Sequence, residues 1–272
     1  AIASRRAALG VGAGISPDGR YVLRTAIKRP YSYVVPAGLF PTEITVLDLQ
    51  GREVHRVADL PLRDNIPTPF DAVAPGPRSV NWRSDAPATL VWVEARDGGD
   101  PRVEAEVRDR VFLQAAPFTA APTRLVDLRD RYAGVTWGDA DTALVSSRWF
   151  NTRRETRLVV DPSNPGEGRV LLERNYQDRY NNPGSPVTEP NAAGFPVMRF
   201  AGDGRVLMSG PGATREGEYP FLAAMDLATG QSERLWTSAT GDYESVVGIL
   251  DDDARRLVTR RETRNDPPNL YV

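Results

Sequence analysis

The 272-residue chain contains no cysteine, one histidine (His55) and one lysine (Lys28). Without cysteine there is no disulfide scaffold and no thiolate metal site, and the compartment stays open between a bacterial cytoplasm and a periplasm. With a single histidine, which sits between Val54 and Val57 in an expected outer strand, a Ser-His-Asp constellation has nothing nearby to orient a base or serve as nucleophile. No G-x-S-x-G elbow occurs either. No apolar run approaches the roughly 20 residues needed to span a bilayer. The first ten residues carry Arg5 and Arg6 but no apolar stretch like that of a secretory signal. Charge is nearly balanced, 34 basic against 36 acidic residues, so no nucleic-acid or anionic-membrane partner is expected. Convincing helical periodicity is scarce as well.

What the chain has is repetition. An apolar strand running into a tight Asp turn recurs at Ile15-Ser-Pro-Asp18-Gly19, Val80-Asn-Trp82-Arg-Ser-Asp85, Val135-Thr-Trp137-Gly-Asp139, Met198-Arg-Phe200-Ala-Gly-Asp203-Gly204 and Val247-Gly-Ile249-Leu-Asp251. After each come a second apolar strand and a strand–turn–strand pair. Four strands per unit, repeated every 40–60 residues or so, are the signature of an all-β propeller. The units fall at approximately 10–60, 78–128, 132–174, 195–238 and 243–272. The fifth lacks its outermost strand, which makes four complete blades and a partial one, expected to be part of a larger ring. The alternative is a compact five-bladed ring closed by residues 1–10. Val103-Glu-Ala-Glu-Val107 alternates like a strand yet also aligns on a helical face, and is left as an insertion.

The first–second and third–fourth strand connections are short turns such as Pro17-Asp18-Gly19 and Ala228-Thr229-Gly230. The other connections, which share the opposite face of a propeller, are long: 28–42, 59–78, 96–110, 148–157, 174–196 and 210–220. Function rides on long loops held by a rigid scaffold, so the site is expected there. The Asp pairs Asp139/Asp141 and Asp251–Asp253 fail the EF-hand pattern and are the ordinary turn residues of the repeat, so no metal is expected. Gly210–Gly217 lacks the end of a phosphate loop, and no cofactor is expected.

Three segments of the decorated face combine arginine with aromatics, as binding hot spots do. They contribute Arg29, Tyr31 and Tyr33; Arg148, Trp149, Arg153 and Arg154; and Arg179 with Tyr180. All nine are candidate peptide-binding residues. The plainer account of any one of them is inter-blade ion pairing and packing.

The same segments carry a family resemblance. Arg29-Pro-Tyr-Ser-Tyr-Val-Val-Pro36 with Phe40-Pro41, Ala58-Asp-Leu-Pro-Leu62, Gly76-Pro-Arg-Ser79, Trp82-Arg83, Pro87-Ala-Thr-Leu90 and Asp97-Gly-Gly-Asp-Pro101 are similar to the propeller of glutamyl endopeptidases. So are Asp178-Arg-Tyr180 with Pro183-Gly184, and Arg260-Arg-Glu262 with Pro267-Pro-Asn269. These enzymes, from chloroplasts and bacteria, are a branch of the prolyl oligopeptidase family of serine peptidases. The resemblance implies a propeller followed by an α/β-hydrolase domain in the same polypeptide, which would be this chain's partner and carry the triad. It implies no catalytic residue at any position here. It further implies a peptide substrate cleaved after glutamate, with the propeller gating access and lending residues to the pocket. From their placement beside aromatics, Arg29, Arg148, Arg153, Arg154 and Arg179 are expected to supply part of its positive charge. A stand-alone propeller that binds a peptide or protein without catalysis, or a purely structural scaffold, remains the competing expectation.

Overall fold

The computed structural model describes residues 9–67 and 69–272; the closed-ring alternative rests largely on residues outside this range. Among the described residues it is an all-β propeller with four four-stranded antiparallel sheets, one three-stranded sheet and one two-stranded hairpin. Blade one comprises β1 (Leu9–Ile15), β2 (Tyr21–Ile27), β3 (Thr42–Asp48) and β4 (Glu53–Leu60). Blade two comprises β5 (Arg78–Trp82), β6 (Thr89–Ala95), β7 (Asp109–Ala115) and β8 (Thr123–Leu128). Blade three comprises β9 (Arg131–Asp139), β10 (Thr142–Trp149), β11 (Arg154–Val160) and β12 (Arg169–Asn175). In each of these blades the strands pair in chain order, as short turns demand.

The second strands read as unbroken apolar runs because both faces are covered. Leu90 and Trp92 of β6 pack toward blade one against Leu23, Ile44 and Val46. Val91 and Val93, pointing the opposite way, pack toward blade three against Ala143 and Val145. The alternation continues in β10, where Leu144 faces blade four and packs with Val206 and Met208. A strand has two faces, and in a propeller each face has a neighbouring blade.

The Asp turns are built alike. Asp18 Oδ1 accepts from Arg20 N (3.1 Å) and Ser16 Oγ (2.6 Å), and Asp203 Oδ1 accepts from Arg205 N (3.1 Å). Gly19 and Gly204 take the positive φ (71° and 83°) that closes each turn. On this face neighbouring blades are also tied turn to turn. Asp18 N donates to Pro87 O (2.8 Å), Arg83 Nη2 to Ala140 O (3.5 Å) and Gly202 N to Asp252 O (3.0 Å).

Blade four departs from the sequence reading. Its inner strand starts at β13 (Ser185–Pro186), not at Met198, and is broken by a hairpin of β14 (Thr188–Pro190) and β15 (Pro196–Met198). The break is closed at its base: Arg199 N donates to Val187 O (2.8 Å), Val187 N to Leu207 O (2.8 Å) and Leu207 N to Arg199 O (3.0 Å). The inner strand then resumes, with Phe200 bridging Val206. The three remaining strands are β16 (Val206–Gly210), β17 (Phe221–Met225) and β18 (Ser232–Thr237). Blade five has β19 (Tyr243–Ile249), β20 (Leu257–Glu262) and β21 (Asn269–Tyr271). Val103–Val107 forms neither strand nor helix. Among the described residues no helix is long and apolar enough to cross a membrane.

Candidate functional site

The long connections of blades two and three bring two clusters of charge together on the decorated face. The first is a buried network between the blades. Asp97 accepts from Arg131 Nη2 (2.7 Å), Arg108 Nη1 (2.8 Å) and Gly99 N (3.0 Å). Asp109 accepts from Arg131 Nη1 (3.0 Å), Tyr132 N (2.7 Å) and Arg78. Arg154 makes a two-pronged contact with Asp130 (2.8 and 2.6 Å). Arg131 Nε reaches Asp71 O (2.7 Å), and Asp71 Oδ2 accepts from Phe150 N (2.8 Å). Burial pushes the Asp71 carboxyl up, whereas at Asp97 the effect of burial is outweighed by Arg131 and Arg108 and the carboxyl is held below its ordinary value. Each of Arg78, Arg108, Arg131 and Arg154 is ion-paired with at least one of Asp97, Asp109 and Asp130, and Asp71 joins through its carbonyl and through Phe150 N, so every guanidinium of this network is engaged. It is scaffold.

The second cluster is not balanced. Glu155 of β11 is buried and accepts from Arg148 Nη2 (2.9 Å) and Arg174 Nε (2.8 Å), with Arg157 Nη2 at 3.7 Å. Burial alone would raise the Glu155 carboxyl, but these arginines lower it. Arg157 Nη1 is anchored on Gly184 O (2.7 Å), and Arg174 Nη1 on Asp178 O (2.9 Å). Tyr176 lies between two further contacts: the Arg148 guanidinium is 5.5 Å from its ring centroid, and Arg153 Nη1 is 3.5 Å from its hydroxyl. Arg153, at φ 57°, also stacks on Phe150 (3.7 Å), which stacks in turn on Phe70 (3.7 Å between centroids). No carboxylate lies within ion-pair distance of Arg153 among the described residues. Three guanidiniums, those of Arg148, Arg157 and Arg174, thus share the Glu155 carboxylate, and that of Arg153 stands beside them on Tyr176. Even counting Asp178, whose carboxylate is turned to Asn181 Nδ2 (2.7 Å), the patch keeps an excess of positive charge. Arg148, with its side chain 53% exposed, is the member that meets solvent. A carboxylate arriving there would find planar donors already held in place, the arrangement that favours charge-assisted bonds.

The nine residues singled out in the sequence have different fates. Arg148 and Arg153 converge on Tyr176. Trp149 lies under Arg108 (4.2 Å to the ring centroid) and Arg154 is taken up by Asp130, so both belong to the balanced network. Arg179 is exposed and paired with Glu218, and Tyr180 beside it is exposed. Arg29 stacks over Tyr31 (5.5 Å) on the connection of blade one, where Tyr33 is fully exposed. Glu155, Arg157 and Arg174 were missed. The period-two alternation of β11 places Glu155 and Arg157 on one face and Arg154 on the other, which is the signal that separates them. His55 lies on Phe118 (5.3 Å between centroids) and burial lowers its pKa; it is a packed side chain.

Two plant proteins named as probable chloroplastic glutamyl endopeptidases align with nearly all of this sequence. The one from Oryza sativa subsp. japonica is 36% identical over 273 residues, which cover 94% of the chain. The one from Arabidopsis thaliana is 38% identical over 268 residues, 92% of the chain. Along its length the chain is homologous to these glutamyl endopeptidases. It spans 29% and 28% of their respective lengths. The β-propeller domain of the Trilobed protease from Pyrococcus furiosus shares the fold, with a TM-score of 0.50 at 11% identity, covering 97% of this chain and 67% of that one. No protein-family model matches.

Proposed function

We propose that the chain is the non-catalytic propeller portion of a serine peptidase that cleaves after glutamate, and that it gates access and shapes the substrate pocket. Its partner on this reading is an α/β-hydrolase domain of the same polypeptide, which brings the nucleophile and its base to the decorated face. The observation that carries the reading is the unbalanced patch, three arginines around the single buried Glu155 with Arg153 beside them on Tyr176, on the long-loop side of a propeller homologous to glutamyl endopeptidases. A buried substrate carboxylate without a partner costs several kcal/mol, so a glutamate pocket needs fixed positive charge. Arg148 and Arg153 are the candidates to touch that carboxylate, while Arg157 and Arg174 hold the field from behind.

The test is kinetic and uses the full-length protein. Arg148→Gln and Arg153→Gln are each expected to lower kcat/KM about tenfold for a glutamyl peptide, equivalent to about 1.4 kcal/mol, and to leave the glutaminyl analogue unchanged. Arg179→Gln, whose guanidinium is already engaged by Glu218, serves as the control. Equal losses on both substrates, or none on either, would remove these arginines from the pocket.

A further inference from the structure

The hairpin that interrupts the inner strand of blade four is held by other blades at several points. Its return strand β15 lies against β9, the inner strand of blade three. The fit there is close, since a Cβ added at Gly138 would come within 2.8 Å of Met198 Cε and 3.0 Å of Phe200 Cζ. Beyond blade three, the tip residue Asn191 donates through Nδ2 to Ser84 O (2.8 Å), in the tight turn of blade two. At the base, Arg199 donates to Ile249 O and Asp251 O (both 3.1 Å) of blade five. The hairpin thus extends across the inner strands, which line the ring axis, at the tight-turn end.

Several details mark it as fixed. Asn191 Oδ1 accepts from Ala193 N and Phe195 N (both 3.0 Å), so one side chain both closes the tip turn and latches it to blade two. Met198 is fully buried. Pro190 pairs across from Pro196, and neither has an N–H to offer an extended peptide seeking a strand edge. We propose that residues 188–198 form a permanent stopper at the tight-turn end of the channel and set route and size specificity. Peptides reach the decorated face from its own side, and none passes along the ring axis. The inference rests on the peptidase reading above.

Because Val187 and Arg199 are already a hydrogen-bonded pair, residues 188–198 can be excised in the full-length protein and replaced by the two-residue turn Asn-Gly. The readout is the ratio of kcat/KM for a long peptide of about 30 residues to that for a glutamyl tripeptide, with far-UV circular dichroism checking the fold. Excision is expected to raise the ratio about fivefold or more, and Asn191→Ala, which cuts only the latch, to raise it about twofold. An unchanged ratio in the folded excision variant would overturn the stopper while leaving the peptidase reading intact. If excision prevents folding, Asn191→Ala decides by the same criterion. Failure of the unaltered protein to cleave any peptide would overturn the peptidase reading and the stopper with it.

Discussion

Replacing Glu155 with glutamine tests whether the arginine patch is held by a single buried charge. The substitution preserves shape and leaves an amide oxygen for Arg148 or Arg174, but it removes the only carboxylate at the centre of the patch. Removing one partner of a buried pair typically costs about 3–5 kcal/mol. The contribution of Arg148 is discounted, because its half-exposed side chain is screened and such pairs are worth under about 1 kcal/mol. Arg157 and Arg174 are far less exposed and carry most of the loss. The expected destabilisation is therefore about 3 kcal/mol, or a Tm lower by roughly 6–12 °C for a chain of this size. The assay is thermal unfolding of Glu155→Gln with and without glutarate, a dicarboxylate that resembles a glutamate side chain. The added anion should recover part of the lost Tm in the variant and do less in the unaltered protein, where Glu155 occupies the donors. A change in Tm below about 2 °C, or equal response to glutarate in both proteins, would refute the charge argument.

Two further outcomes follow from local geometry. Burial lowers the His55 pKa from 6.5, so as pH falls below that value the unfolded chain takes up a proton before the folded one and stability declines. The dependence of Tm on pH between 7 and 5 should be shallower in His55→Gln, and superimposable slopes would exclude the effect. At Gly184, where φ is 86° and a Cβ would lie 2.4 Å from Ser209 O, alanine should cost about 2–4 kcal/mol by chemical denaturation. Because Gly184 O anchors Arg157, the same variant should also weaken any carboxylate binding at the patch, whereas full stability would mean that the contact relaxes freely.

The propeller is legible in the sequence because its physics is local. Asp marks the first tight turn of every blade, with Gly beside it in blades one and four, and the double-sided burial of strands such as β6 and β10 leaves unbroken apolar runs. The blade-four hairpin was not legible in the same way. Asn, Pro and Gly between 181 and 196 read as loop, and the contacts that order the segment come from Ser84, Gly138 and Ile249, distant in sequence. For the candidate site, a gathering of Arg and aromatics marked the right face and segments. Which arginines are neutralised depended in part on distant partners, as with Arg154 and Asp130, separated by 24 positions, or Arg179 and Glu218, separated by 39. Composition records that an arginine is present; only the fold records whether its charge is already spoken for.

The Asn191–Ser84 bond also bears on how the molecule comes apart. Blades joined only to their neighbours behave as a linear array, in which unfolding can halt at any seam. The turn-to-turn bonds between blades one and two, two and three, and four and five are of that nearest-neighbour kind. The hairpin skips a neighbour: it couples blade two to blade four over the top of blade three, and its base couples onward to blade five. Blade three cannot loosen without straining a tie that spans it, so blades two to five are bound into one cooperative unit. Blade one is tied to blade two by Trp82 Nε1 on Gly14 O (2.9 Å), by Asp18 on Pro87 and by a shared core, and the segment that leaves it reaches past blade two through Asp71 to Arg131 and Phe150 of blade three.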